Sequence, residues 1–414
     1  MAEIRYLLRH ACVAGWDSLV DIALNDTITA IAPSDSPEAA ALSAQDVWEL
    51  AGKVVLPGLV DAHVHLDKTL STTQNQSGTL LEAIEVWQAH KGQQDAASYH
   101  GRALRAVEMA LNRGVVAMRS HVDIDPSGDM TALQAVQQLQ RQFADYLTIQ
   151  TVALGQPSNP ADRGMEAALE QGVDLIGGCP ALTPDPEACI RAVFALAERS
   201  GKAIDLHIDE TEDPQMLSLE LLAEATIAHG MQGRVTAGHC CSLAFVDDAR
   251  AREVIAKVAA ADMHVVTLPS CNLVLMGRGH QPLPRGLTRV KELLEAGVNV
   301  CAASDNVADP FNPFGSYDPL QIANLTAHCA HMSGDAEWPQ CLQMVTDAAA
   351  RSLALPNYGL AVGKHADLVV CDAYSQHEAL CGLPARLMLF RHGRLLYHHS
   401  LQQHWMQAMP WQQT

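Results

Sequence analysis

The middle of the chain alternates short apolar runs, rich in β-branched residues, with longer segments of helical periodicity. Such alternation indicates βαβ units and a parallel sheet. Eight repeats favour a closed (β/α)8 barrel over an open sheet, which would usually show a topological switch and fewer units. The eight predicted strand runs are residues 54–65, 115–124, 147–154, 173–179, 203–208, 234–240, 264–270 and 298–304.

Helical segments lie between these runs, and the two ends of the chain have a different character. Residues 166–171 form one such helical segment, which is rich in Ala and Leu. Residues 288–296 form another, and Gly297 after it is a typical C-terminal stop signal for a helix. The ends contain short strand patterns, SLVDIAL and ITAIAP before the barrel and ADLVVCD and RLMLFRHGRLLY after it. We therefore predict an α/β barrel over residues 56–357 and one small β domain built from residues 1–55 and 358–414.

Composition and charge restrict the class of protein. With 414 residues, 48% of them hydrophobic and 18% charged, the chain can bury a large core. Its formal net charge of −20 repels phosphate backbones and anionic lipids, so we expect no nucleic-acid partner and no membrane surface. The sequence contains neither a membrane-length apolar window nor a signal-peptide pattern at its N-terminus. Eleven scattered cysteines without a disulfide framework are typical of a reducing cytoplasm.

The strongest chemical signal is a pair of histidines at the end of the first apolar run. His63 and His65 are two residues apart, so in a strand both side chains point to the same face. Neutral imidazole suits Zn²⁺ and Fe²⁺. The pair alone is weak evidence, because a chain with 19 histidines contains such pairs by chance.

Further candidate ligands fall at other strand ends. His207 closes the fifth run, His239 closes the sixth, and Asp305 follows the eighth. Active sites of (β/α)8 barrels lie at this end of the strands. The alternative, that each histidine is a hydrogen-bonded core residue, weakens when several fall at strand ends together. The resulting metal site holds one ion through four residues and leaves a position for water, and its ligands are His63, His65, His207 and Asp305.

Two rim residues are candidates for contact with a substrate. Glu210 lies three residues after His207, where a carboxyl group near the metal suits a general acid or base. It is also readable as an ordinary acid at a helix N-terminus. Gln156, in LGQPSN after the third run, is either a substrate-binding amide or a solvated loop residue.

The chain resembles the cytosine deaminase branch of the amidohydrolase superfamily over about residues 54–366, and it is also similar to the N-alkylammelide amidohydrolases. The resemblance implies a distorted (β/α)8 TIM barrel flanked by a small β-sandwich domain formed from both termini. It is carried, in chain order, by LPGLVDAHVHLDKT, NQSGTLLEAIEVW, SHVDI, HIDETED, VTAGHC, GLTRVKELLEAGVNVC and SDNVADPF.

The resemblance also assigns roles to the candidate residues. It implies one divalent metal ion, Zn²⁺ or Fe²⁺, on the four ligands named above. His239 and Asp305 would orient the attacking hydroxide and accept its proton, Glu210 would protonate the ring nitrogen, and Gln156 would grip the amide edge of the base. Binuclear relatives carry a carbamylated lysine on the fourth strand, and the run VDLIGGC has none.

The expected activity is hydrolytic deamination of cytosine or a related pyrimidine or triazine. Metal hydroxide would attack an amidine-like ring carbon and release ammonia. We expect a small N-heterocyclic substrate and a homo-oligomeric cytoplasmic enzyme. A catalytically silent barrel relative would be expected to lose metal ligands, and this chain keeps the full set.

Departures from the branch concern the substrate. Cytosine deaminases carry an acid directly after the metal aspartate, where this chain has Asn306, and a histidine often precedes it, where this chain has Ser304. Lys68 replaces a threonine and resembles relatives that act on triazines; it is either a cavity residue or a solvated loop lysine. These departures keep open the hydrolysis of an N-alkylamino substituent or a cyclic amide. Asp185, after the fourth run, is a further candidate for substrate contact.

Overall fold

The computed structural model describes residues 3–158 and 163–400. Part of the predicted small β domain, residues 401–414, lies outside the described residues. In the described part the strands are β1 Ile4–Ala11, β2 Val20–Leu24, β3 Ile28–Pro33, β4 Ala44–Glu49, β5 Val54–Pro57, β6 Leu59–Val64, β7 Val115–Asp123, β8 Thr148–Leu154, β9 Leu175–Ile176, β10 Ala203–Ile208, β11 Val235–His239, β12 His264–Thr267, β13 Asn299–Ala302, β14 Leu368–Cys371, β15 Arg386–Arg391 and β16 Arg394–His398.

Most helices follow barrel strands, while the first and the last of the described helices lie between strands of the small domain, and the described residues also contain two short 3₁₀ helices. In the described residues the α-helices are α1 Pro37–Ala40, α2 Leu80–Lys91, α3 Ala96–Asn112, α4 Thr131–Gln142, α5 Gly164–Glu170, α6 Pro186–Ser200, α7 Ser218–Ala228, α8 Asp248–Ala260, α9 Pro269–Leu275, α10 Val290–Glu295, α11 Pro319–Cys329, α12 Trp338–Gln343, α13 Asp347–Ser352 and α14 Gln376–Gly382. None of these helices combines the length and the apolar character that crossing a membrane requires.

The barrel consists of β6 to β13, which pair in sequence order and in parallel. Most residues of these strands are buried on both faces, which explains their nearly continuous apolar runs. The ends of the sheet meet where Val64 bridges to Asp305. There the main-chain N–H of Asp305 donates to the carbonyl of His63 at 2.9 Å, and that of Ser304 donates to Asp61 Oδ1 at 2.9 Å. The predicted barrel is confirmed.

Two of the predicted strand runs differ in the structure. Residues 54–65 form two strands in different sheets, β5 in the small domain and β6 in the barrel. The chain crosses between them at Gly58, where an added Cβ would lie 2.4 Å from Val116 Cγ1, so only glycine lets the backbone pass this close to β7. The run 173–179 retains only the two residues of β9, which distorts the barrel on that side.

The small domain is a sandwich of two four-stranded sheets. One sheet has the order β3-β2-β1-β4 and comes from the N-terminal part of the chain, and the other has the order β16-β15-β14-β5. A bridge from Thr27 to His365 connects the N-terminal and C-terminal parts of the chain, and a bridge from Cys12 to Val54 connects the segment after β1 with β5 of the second sheet. Both sheets contribute to one apolar core, which confirms the predicted β-sandwich from both termini. Its largest buried side chains are Leu8, Ile22, Leu24, Ile28, Leu368 and Phe390.

The crossing at Gly58 gives a test of the packing between the two domains. Gly58→Ala is expected to lower the free energy of unfolding by about 1–3 kcal/mol, because the new methyl group overlaps Val116. The double variant G58A/V116A should recover part of this loss. Gly101→Ala serves as control, since an added methyl group there meets no heavy atom within 4 Å and α3 favours alanine. Urea unfolding that shows G58A and G101A equally stable would contradict this packing.

Candidate metal centre and active site

Four donor side chains meet at the carboxyl ends of the barrel strands. His63 lies in β6 with His65 just beyond it, His207 lies in β10, and Asp305 follows β13. The Nε2 atom of His207 is 3.3 Å from Nε2 of His63 and 3.2 Å from Nε2 of His65. Oδ1 of Asp305 is 3.2 Å from Nε2 of His65 and 3.7 Å from Nε2 of His63. All four residues are buried.

These separations fit a single tetrahedral metal ion. Ligand atoms at 2.0–2.1 Å from zinc lie about 3.3–3.4 Å apart, because the edge of a tetrahedron is about 1.63 times its centre-to-vertex distance. The three imidazole nitrogens cannot all form hydrogen bonds with one another, because Nε2 of His207 faces the Nε2 atoms of His63 and His65 at once. Both oxygens of buried Asp305 also lack a hydrogen-bond donor among the described residues. A divalent cation satisfies all of these atoms together.

The charge states of the donors suit a metal. Burial, followed by the charges of neighbouring histidines, lowers the pKa of His63 well below its ordinary value, and burial likewise lowers the pKa of His207. Neutral imidazoles are the form that binds metals. Burial raises the pKa of Asp305 to about 7. A carboxylate in such a place is costly without a cation beside it.

A buried network behind His63 was not predicted from the sequence. The ring of His121, on β7, stacks on that of His63 with centroids 3.9 Å apart. Nε2 of His121 lies 3.4 Å from Asp205, whose other oxygen accepts from Arg119 at 2.7 Å. Burial raises the pKa of Asp205, but the charges of His121 and Arg119 outweigh it and lower the pKa overall. The position of His121 near the end of the second strand run was the available signal.

Lys68 is a buried cavity residue rather than a solvated loop lysine. Its Nζ donates to Asp123 Oδ1 at 2.6 Å and lies 3.6 Å from Asp67 and 3.2 Å from Nδ1 of His65. Burial lowers the pKa of the ammonium, but the two carboxylates outweigh it and raise the pKa above its ordinary value. Burial, and then the positive charge of Lys68, lowers the pKa of His65 well below its ordinary value.

His239 and Glu210 lie side by side next to the ligands. Nδ1 of His239 is 3.3 Å from Oε1 of Glu210 and 3.9 Å from Oδ2 of Asp305. Asn272, on α9, approaches both, with Nδ2 3.1 Å from Nδ1 of His239 and 3.5 Å from Oε1 of Glu210. Sequence analysis missed Asn272, because nothing in its local pattern marks a residue that tertiary folding alone brings to the site.

Burial controls the protonation of this pair as well. Burial lowers the pKa of His239 to about 3, which leaves a neutral imidazole at pH 7. Burial, and then the charge of Asp305, raises the pKa of Glu210 well above its ordinary value. The main chain at His239 (φ 67°) and Asp305 (φ 60°) is left-handed, a strained conformation that concentrates at functional sites.

His65, His207, Glu210 and His239 line one cavity of about 250 Å³. Gln156, Asn306 and Lys68 also belong to its wall. The side chain of Asn306 donates from Nδ2 to Asp309 Oδ2 at 2.6 Å. The apolar part of the wall consists of Leu80, Ile84, Trp87, Ile124, Leu182 and Phe311.

The structure does not bring Asp185 to this cavity. Its side chain is 63% exposed and caps α6 by accepting from the N–H of Ala188 at 2.9 Å. Asp185 lines a separate, more open surface groove of about 830 Å³ that contains none of the metal-ligand candidates. The predicted substrate contact of Asp185 is therefore corrected to helix capping, because the Asp-Pro sequence begins a helix here.

Comparisons with known proteins agree with this geometry. A family model described as the Amidohydrolase family matches residues 46–138 and 129–381. The pterin deaminase of Rhizobium rhizogenes is 32% identical over 353 residues, which are 83% of this chain and 80% of that protein. The N-isopropylammelide isopropyl amidohydrolase of Pseudomonas sp. is 29% identical over 405 residues, 94% of this chain and 96% of that protein.

A solved structure shows the same architecture. The crystal structure of 5-methylcytosine deaminase from Klebsiella pneumoniae, liganded with phosphonocytosine, superposes with a TM-score of 0.90 at 32% identity. The match covers 96% of this chain and 100% of that one. The similarity thus includes both the barrel and the small sandwich domain.

The metal centre predicts a measurable loss when one donor is removed. His207→Ala is expected to weaken zinc binding by at least about 100-fold, because loss of even an outer partner of a ligand costs 10–100-fold. Competition with a chromophoric chelator measures the affinity. His331→Ala is the control, since this histidine is exposed and distant from the cavity lining. Equal zinc affinity in H207A and H331A would refute the assignment.

Proposed function

Because this chain belongs to the Amidohydrolase family, we propose that it deaminates a small N-heterocycle by hydrolysis with one divalent metal ion, Zn²⁺ or Fe²⁺. The observation that carries the proposal is the position of Glu210 and His239. Both lie beside the four metal-ligand candidates and line the same cavity of about 250 Å³. A proton donor, a neutral imidazole and a metal site therefore face one bound ring.

The metal site and its neighbours divide the work. A divalent ion held by the three histidines and Asp305 would supply the Lewis acidity that makes water a nucleophile at neutral pH. Asp305 has a second carboxylate oxygen, Oδ2, turned toward His239, and this oxygen can take a proton from the attacking water. His239 stays neutral, and its Nε2 has no hydrogen-bond partner among the described residues, so it can orient the attacked group.

Glu210 handles the proton that the ring needs. Its raised pKa keeps a proton on the buried carboxyl group. Transfer of this proton to the ring nitrogen next to the attacked carbon prevents negative charge from accumulating there. Water oxygen then forms a bond to the carbon, and the bond to the amino group breaks. One proton of the water leaves with the departing ammonia, and the other restores the proton that Glu210 gave to the ring nitrogen. The product is a ring carbonyl.

The cavity suits a flat ring of the pyrimidine, triazine or pterin size. Apolar side chains, among them Trp87 and Phe311, cover the faces of such a ring. Gln156 and Asn306 offer amides to its polar edge. The relatives named above support this class, since their names refer to pterin, N-isopropylammelide and 5-methylcytosine.

A second candidate function is the hydrolysis of an N-alkylamino substituent. The N-isopropylammelide isopropyl amidohydrolase matches 94% of this chain, which favours this alternative. Lys68 lines the cavity and would attract a carbonyl-rich ring of that kind. The metal and Glu210 would act in the same way, with an alkylamine leaving in place of ammonia.

We also propose that the protein is located in the cytoplasm. All eleven cysteines lie within the described residues and are free, which supports a reducing cytoplasm. A homo-oligomer also remains part of the proposal, and size-exclusion chromatography with light scattering would test it.

Glu210→Gln separates catalysis from metal binding. The variant keeps the size of the side chain but has no acidic proton, so kcat should fall by about 10²–10⁴-fold while zinc affinity is unchanged. Asp185→Asn is the control and should keep full activity, because Asp185 caps a helix outside the cavity. Full activity in E210Q would contradict the assigned proton transfer.

The nature of the leaving group distinguishes the two candidate functions. Zinc- or iron-loaded protein is incubated with cytosine, isocytosine, isoguanine, ammeline, pterin and N-isopropylammelide. Ammonia release from an unsubstituted ring, with kcat/KM near or above ~10⁴ M⁻¹ s⁻¹, is the expected result. Release of isopropylamine alone would favour the second function, and no product from any ring in metal-loaded protein would refute both.

A further inference from the structure

The amide of Asn306 is held in one orientation by a carboxylate outside the metal site. Its Nδ2 donates to Oδ2 of Asp309 at 2.6 Å. The other oxygen of Asp309 accepts from the main-chain N–H groups of Phe311 at 2.9 Å and Asn312 at 3.1 Å. Asp309 is completely buried. Because a carboxylate only accepts hydrogen bonds, Asn306 must turn its amino group toward Asp309.

This orientation leaves the amide oxygen of Asn306 for a ligand. Among the residues that the structure describes, Oδ1 accepts from Sγ of Cys271 at 3.8 Å, and a thiol is a weak donor. Asn306 lines the cavity directly after the ligand candidate Asp305. In the proposed reaction, Oδ1 of Asn306 would therefore be the acceptor available to a ring bound in this cavity.

The loop that carries this acceptor is rigid. The side chain of Asn312 donates to the main-chain oxygen of Asn306 at 3.0 Å, and its Oδ1 accepts from the N–H of Phe314 at 3.2 Å. The main-chain N–H of Asp309 donates to the carbonyl of Asn312 at 3.1 Å. Fixed backbone and fixed amide together give a preorganised hydrogen-bonding position.

We propose that Asp309 is a specificity-determining positioning residue, which makes the site prefer rings with an N–H donor next to the amino-bearing carbon. The preferred class is the 2-amino-4-oxo ring, with isocytosine as its smallest member. This inference rests on the proposed deamination, because it concerns the substrate of that same site. Asp309 selects the ring through Asn306 and is not itself part of the cavity wall.

Three small rings differ at the decisive position. The amino-bearing carbon has a bare nitrogen on one side in each of them, and Glu210 protonates that nitrogen. On its other side isocytosine has N–H, cytosine has C–H, and 5-azacytosine has a second bare nitrogen. Only isocytosine donates to Oδ1 of Asn306, whereas 5-azacytosine sets a lone pair against it. A buried acceptor that lacks a hydrogen-bond donor, or faces another acceptor, costs binding free energy.

Asp309→Asn reverses the polarity of this position. The new side chain keeps Oδ1 for the two main-chain N–H groups and places an amino group where Oδ2 stood. That amino group donates to Oδ1 of Asn306, so the amide of Asn306 turns and offers its own amino group to the cavity. The ratio of kcat/KM for isocytosine to that for 5-azacytosine should fall by about 10- to 100-fold.

Two further variants control the measurement. Asn306→Ala removes the amide, so it should lower the same ratio without making 5-azacytosine a better substrate. Asp247→Asn is matched to D309N, because Asp247 also accepts from the N–H groups two and three residues on but lies in the separate surface groove. D247N should keep the wild-type ratio.

The outcomes separate this inference from the proposed function. An unchanged ratio in folded, active D309N overturns the inference while the deaminase function stands. If D309N does not fold, an unchanged ratio in N306A overturns it equally. If wild-type protein releases no ammonia from these three rings or from any ring of the panel named above, the proposed function fails. Calorimetric dissociation constants of isocytosine and 5-azacytosine for the zinc-loaded wild type and D309N then decide the hydrogen-bond preference.

Discussion

A buried cluster of three histidines and a carboxylate needs a cation for stability, and the arrangement of the barrel rim follows from this need. The Nε2 atoms of His63 and His65 lie 3.2–3.3 Å from Nε2 of His207 and 3.2–3.7 Å from Oδ1 of Asp305, and all four residues are buried. Neutral rings next to a carboxylate without donors are stable only with a positive ion among them. The closing bridge from Val64 to Asp305 serves this cluster, because it places the carboxylate from the last barrel strand beside the histidines of the first.

Charged groups around the cluster are paired so that the histidines remain neutral. The ammonium of Lys68 is neutralised by Asp123 and Asp67, and the guanidinium of Arg119 is neutralised by Asp205. Of these two cations, Arg119 is not part of the cavity wall, whereas the paired Lys68 is. In the proposed reaction, the cavity also supplies groups that transfer protons and amides that contact the edge of a ring. In the proposed function, metal binding and substrate selection thus depend on different residues of the same barrel rim.

The sequence predicted what local pattern determines. Strand periodicity located the barrel strands, and histidines at strand ends identified the candidate metal site, because the carboxyl ends of parallel strands meet at one rim. The pattern could not show that the first run breaks at Gly58, since the reason is its contact with Val116 on another strand. Asp185 was predicted to lie at the rim because the sequence pattern did not locate the start of α6. Its carboxylate instead accepts the hydrogen bond from the N–H of Ala188 that caps this helix. Asn272 and Asp309 were missed because their roles arise from side chains that only folding brings together.

The most direct test of the central claim is anomalous X-ray diffraction from crystals of zinc- or iron-loaded protein, recorded on both sides of the metal absorption edge. The account predicts one peak, about 2.0–2.2 Å from Nε2 of His63, His65 and His207 and from an oxygen of Asp305. A second peak of similar height in the cavity, or a single peak held by other side chains, would contradict it.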